Sequence, residues 1–226
     1  MQIGAALMYT GTVMLFVIAN KMTTSANAIL LQYTAPIYAA IFGWIFLREK
    51  VSLLDWGVIV FVIAGMGLFF MGDLTGGNMF GNILAIISGV TFAAQAIFLK
   101  LQKGVNAASS IVLGNFFTFI LSIPFLFQKV PTATDVTALV LMGVFQLGLA
   151  YSLYSFAVTR LSALETILLP VIEPILNPVW VFMFIGEIPG KWSLIGGLIV
   201  ITSVTLRCYL VSKKQIVARQ QKAVPI

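Results

Sequence analysis

Residues 162–186 read SALETILLPVIEPILNPVWVFMFIG. As one helix this run would be about 37 Å long at the helical rise of 1.5 Å per residue. That is enough to cross the roughly 30 Å hydrocarbon core of a bilayer. Glu173 falls about 11 residues into the run, some 16 Å along the helix and so near the midplane. Three prolines, Pro170, Pro174 and Pro178, recur every four residues on the same stretch. A long apolar segment with a carboxylate at its centre is costly in lipid, and such a group usually faces a partner or a watery path.

The rest of the chain has the same character. Of its 226 residues 60% are hydrophobic and 9% charged, where a soluble domain carries about 25% charged residues. Eight apolar runs can be marked, at 3–20, 24–47, 53–71, 80–99, 107–128, 136–159, 162–186 and 193–212, each near the length a helix needs to cross. Turn formers and charges separate them. The runs are continuous rather than alternating, which argues against a β-barrel. The expected fold is all-α, a polytopic membrane bundle of about eight transmembrane helices. There is no His, and Cys208 is the single cysteine. Histidine-based triads, His-ligated metals and intrachain disulfides are therefore excluded. No cofactor is called for, and the reading is not that of an enzyme.

Thirteen Lys and Arg residues against seven acidic ones give a net charge of +6. In so apolar a chain this marks the cytoplasmic flanks of spans rather than a nucleic-acid partner. With the N-terminus inside, Arg48, Lys50, Lys100, Lys103, Arg160, Arg207, Lys213, Lys214, Arg219 and Lys222 lie inside. Lys21, Lys129 and Lys191 lie outside. The ratio of ten to three favours both termini in the cytoplasm. Residues 213–226 are read as a basic cytoplasmic tail.

The chain also repeats itself. Shifted by 138 residues, Ile29-Leu30-Leu31 meets Ile167-Leu168-Leu169, Pro36-Ile37 meets Pro174-Ile175, and Glu49 meets Glu187; one residue further, Gly57 meets Gly196. Residues 80–138 find no counterpart at this offset, because it would precede Met1. The expected plan is two units of five spans: a partial first unit of three spans at 1–72, lacking the first two, and a complete second unit at 78–212. An odd number of spans per unit inverts one unit against the other. Inverted repeats with a site at mid-membrane are a transporter architecture; an ancient duplication in a membrane protein of another function is the alternative.

Ala26-Asn27-Ala28-Ile29-Leu30-Leu31-Gln32-Tyr33-Thr34-Ala35-Pro36, followed by Leu47-Arg48-Glu49-Lys50 and Gly57, resembles the EamA-type domain of the drug/metabolite transporter superfamily. Leu168 to Pro174, followed by Gly186-Glu187 and Gly196-Gly197, resembles it too. The resemblance implies ten spans in two inverted units around a central cavity, and export or exchange of amino acids and other small metabolites across a bacterial inner membrane. Two spans fewer leave a non-transporting membrane assembly subunit as the second reading, with an intramembrane enzyme behind it. The expected partners are a small-molecule substrate and the lipid bilayer, with a homodimer left open.

The substrate-binding candidates follow from polar groups inside spans. Thr166, Asn177 and Trp180 share a helical face with Glu173 at 100° per residue. Packing alone, with Glu173 protonated or tied to a neighbour, is the alternative. Pro170, Pro174 and Pro178 lack N–H donors and would free the carbonyls of Thr166, Pro170 and Pro174, unless they merely kink the helix. Pro36 is the matching break in the first unit, where Gln32, Thr34 and Tyr38 line the equivalent helix and Ala35 stands at the position of Glu173. Further stripes carry Ser88, Thr91 and Gln95, then Asn115, Thr118 and Ser122, then Gln146, Tyr151, Tyr154 and Ser155; such groups equally serve as interhelical hydrogen bonds. Glu49 and Glu187, at span ends, are read as structural.

Overall fold

A computed structural model describes residues 1–71, 78–102, 106–126, 132–186 and 190–223. Among them every regular element is helical. The order is α1 (Gln2–Met22), α2 (Ser25–Gln32), α3 (Ala35–Leu47), α4 (Leu53–Phe69), α5 (Met79–Leu101), α6 (Ala107–Leu126) and α7 (Ala133–Leu141). A π-helical segment (Met142–Leu149) leads into α8 (Ala150–Val158). Then come α9 (Ala163–Leu168), a 3-10 turn (Leu169–Val171), α10 (Ile172–Ile185) and α11 (Lys191–Ala223). Among the described residues six helical stretches are long and apolar enough to cross a membrane: Gln2–Met22, Ser25–Leu47, Met79–Leu101, Ala107–Phe125, Ala133–Val158 and Lys191–Val211. α4 is apolar but only 17 residues long.

Several expected spans are built differently from a single helix. The run at 24–47 is broken between Gln32 and Ala35, where Thr34 donates its Oγ1 hydrogen to the Leu31 carbonyl at 2.6 Å. Pro36 then sits in the first turn of α3, where a missing N–H costs no helical bond. The run at 162–186 breaks at Leu169–Val171, around Pro170. Pro174 falls in the first turn of α10 and Pro178 inside that helix. The Pro170 carbonyl, expected to be free, accepts the Ile172 N–H. The segment 213–223 continues α11 without a break.

The chain packs as two compact units, residues 1–49 with 76–167 and residues 50–75 with 168–226. This is a division by packing, of another kind from the division by repeat. In the first unit α1 is the central helix, flanked by α5 and α6, with α2 and α3 laid on α5 and α8 on α6. In lipid, burial of apolar surface drives helix association weakly, so close packing through small residues takes over. The buried cluster of Ala35, Ala39, Ala93 and Ala96 with Ile167 is of this kind. Gly89 brings α5 onto the end of α2: a Cβ there would stand 2.7 Å from the Gln32 carbonyl oxygen.

In the second unit α4 and α11 run together, and α10 packs on α11. Gly196 makes the α4–α11 approach possible, since a Cβ there would collide with the Gly65 carbonyl and the Phe69 backbone. Ser193 donates to the Phe69 carbonyl at 3.0 Å at one end of this pair. Many large apolar side chains lie exposed on the helices, among them Trp44, Phe61, Phe116, Phe145 and Phe156. That is the surface a bilayer requires.

Candidate functional site

Polar side chains in the first unit divide into fully used and partly used groups. Gln32 donates from Nε2 to Ser88 Oγ at 2.8 Å, and Ser88 donates to the Thr12 carbonyl at 2.9 Å. Thr12 donates to Thr91 Oγ1 at 3.0 Å, and Thr91 to the Ser88 carbonyl at 2.9 Å. This chain stitches α1, α2 and α5 together, so Gln32, Ser88 and Thr91 act as interhelical bonds. Thr34 is spent on the break before α3, and Tyr38 packs against the alanine cluster of α3 and α5. Gln95 is 2% exposed, and its Nε2 has no partner among the described residues. Such a donor is costly to bury.

Asn115 and Tyr151 are brought to one place. They line a cleft of about 350 Å³ between α6 and the π segment with α8. Tyr9 of α1, absent from the sequence-level candidates, donates its hydroxyl to Asn115 Oδ1 at 2.8 Å. Its ring meets Tyr151 edge-on, 5.2 Å between centroids and 74° between planes; Tyr151 meets Tyr154 at 6.2 Å and 85°. These are favoured arrangements for aromatic rings. The Tyr154 hydroxyl is buried without a partner among the described residues. Tyr9 escapes a search along single helices because α1 carries it alone; only the fold supplies Asn115 and Tyr151.

The stripe expected around Glu173 is interrupted. Thr166 lies in α9, 2% exposed, and donates to the Ser162 carbonyl at 2.9 Å. Glu173 and Trp180 lie in α10 and are exposed, Trp180 stacked on Phe184 at 6.5 Å. The reason is the intervening 3-10 turn, which advances about 120° per residue instead of 100°. The side chains of Asn177, Pro178 and Gln146, and residue Glu187, lie outside the described residues.

Among the described residues there are two ion pairs, each with its carboxylate at a helix end. Glu49 pairs with Lys100 at 3.1 Å and also accepts the Ala163 N–H at 2.9 Å, while Lys100 donates to the Leu161 carbonyl. Arg48, in the left-handed conformation at φ 56°, ends α3 and sets up this bond. The structural role expected for Glu49 is thus seen as a clasp on the turn before α9. In the second unit Arg207 Nε donates to Asp55 Oδ1 at 2.8 Å, both groups nearly buried. Asp55 also closes a capping box with Ser52. The sequence placed Arg207 by charge counting alone; its partner is 152 positions away. Among the described residues no group of His, Cys, Asp or Glu could hold a metal.

The sequence pattern of the EamA-like transporter family matches residues 1–71 and 79–208. The chain belongs to that family. Solute carrier family 35 member G1 of Mus musculus is 30% identical over 213 residues, covering 83% of this chain and 55% of the relative. The uncharacterized transporter YdfC of Bacillus subtilis (strain 168) is 24% identical, covering 87% of this chain and 66% of that one. An uncharacterized transporter of Archaeoglobus fulgidus is 26% identical over 88% of this chain and 70% of its own length. The chain thus spans between about half and two thirds of the first two relatives. A protein of known crystal structure matches with a TM-score of 0.76 at 17% identity, over 94% of this chain and 77% of that one. That likeness concerns the fold. Family membership and six crossing-length helices identify a multi-pass membrane protein. The family and the named relatives are transporters, not enzymes.

Proposed function

We propose that the chain is a secondary transporter of small metabolites such as amino acids, working as an exporter or exchanger. The observation that carries this reading is the family match along nearly the whole chain, with relatives named as transporters. The 138-residue repeat supports a mechanism: two inverted units, 1–72 and 78–212, rock in turn around a shared site. Glu173, with Asn177, Trp180 and Thr166, is assigned to that site from the second unit. Gln95, Asn115 and Tyr151 are assigned from the same unit, and Gln32, Thr34 and Tyr38 from the first. Pro36, Pro170, Pro174 and Pro178 mark the helix segments that would bend. The charge distribution supports both termini in the cytoplasm, and the family resemblance supports a plasma or inner membrane location.

The test is counterflow. Purified protein in liposomes preloaded with an unlabelled amino-acid and metabolite panel should accumulate the matching labelled compound. Folded protein that moves no member of the panel would overturn the carrier reading.

A further inference from the structure

We propose that the cleft between α6 and the π segment is a binding site for a neutral, aromatic small molecule bearing one hydrogen-bonding head, such as a hydroxyl, amide or ring N–H. The volume, about 350 Å³, falls in the range of small-ligand sites. A dry apolar cavity of about 150 Å³ already takes benzene, so a bicyclic ring with a polar head fits. Among the described residues no charged one lines the cleft. An ionic ligand would leave water with no counter-charge, a large penalty in a low-dielectric setting. A neutral one does not meet that cost.

The polar groups match a single head. The Asn115 amide uses one N–H on the Ile111 carbonyl at 3.2 Å and one lone pair on Tyr9. A second N–H and a second lone pair remain. Ser152 gives its hydrogen to the Gly148 carbonyl at 2.7 Å and keeps its oxygen as an acceptor. The cleft thus offers acceptors at Asn115 and Ser152 for a head that donates, such as a ring N–H, and an Asn115 donor for a head that also accepts. The floor is aromatic: Tyr151 lines the cleft and joins edge-on contacts with Tyr9 and Tyr154. A fourth ring extends that cluster at the spacings aromatic pairs prefer.

On the same wall as Tyr151, about two turns earlier along the π segment, the cleft is bordered by glycine. A Cβ at Gly143 would meet nothing within 4 Å. The π-helical winding there is itself rare and recurs at functional sites. A side chain at this lining position therefore starts without collision and narrows the cleft, and it would not weaken the helix, since glycine is the poorer helix former.

The inference rests on the carrier reading only in taking the ligand to be cargo. The experiment is equilibrium dialysis of labelled indole against the full chain in lipid nanodiscs, with empty nanodiscs as background. Indole-3-acetate, the anionic analogue, serves as comparison. Saturable indole binding, weak binding of the anion, and a loss of roughly tenfold or more in Gly143→Leu and in Asn115→Leu support the site. Such a loss is about 1.4 kcal/mol. Indole binding equal in the folded variants, equal affinity for the anion, or uptake no greater than empty nanodiscs would overturn it. Saturable binding without counterflow of any compound would overturn the carrier reading alone and leave the site standing.

Discussion

Glu173 carries the most direct functional expectation. If it holds substrate or a coupling proton, Glu173→Gln should cut counterflow about tenfold or more while the protein still folds and inserts. Unchanged flux in that variant would remove Glu173 from the mechanism. Asp55 and Arg207 belong to stability instead. Removing one partner of a buried ion pair typically costs about 3–5 kcal/mol, because the other charge is left uncompensated. Arg207→Met should therefore lower the unfolding temperature in detergent clearly, and Asp55→Asn added to it should recover part of the loss. A double variant no more stable than the single would show that the two charges are not coupled. Glu173 was legible in the sequence because a charge in an apolar run is conspicuous by itself. Asp55–Arg207 and Tyr9–Asn115 were not, because each joins positions over 100 residues apart and only packing brings them together.

Helices report on a different physics. The α4–α11 pair depends on Gly196, where any side chain collides with the α4 backbone, whereas a Cβ at Gly67 on α4 meets nothing within 4 Å. Gly196→Leu should cost about 3 kcal/mol, the upper end for over-packing; Gly67→Leu should be nearly neutral. Thermal unfolding of both variants in detergent compares them, and equal losses would mean the close approach does not hold the pair. Run length made these elements readable, since crossing a bilayer imposes a minimum on any helix. The breaks were less readable. Three prolines suggested three interruptions in 162–186, yet the helix breaks only around Pro170. Pro174 stands in a first turn, where a proline interrupts nothing, while α10 runs on through Pro178; which residue begins a helix is settled by its neighbours.

Taken whole, the chain should alternate across the membrane from a cytoplasmic N-terminus. In a Cys208→Ser background, Met22→Cys should react with a membrane-impermeant maleimide from outside intact cells, and Lys50→Cys only after permeabilisation. The reverse pattern would invert the orientation. Packing within each unit is compatible with alternation: Glu49, Lys100 and the turn before Ala163 meet at one place, as three span ends on one side would.

The shortness of α4 reaches beyond the protein. Its 17 residues extend about 26 Å, some 4 Å less than the usual core thickness. Tilting can shorten the reach of a long helix but cannot lengthen a short one. Thinning of the lipids is one way to meet that mismatch, beside reach of the flanking residues, and its elastic cost falls as the tails shorten. Reconstituted into a series of phosphatidylcholines, the protein should be most heat-stable in the shorter-tailed members, favouring thin membranes over sterol-thickened ones.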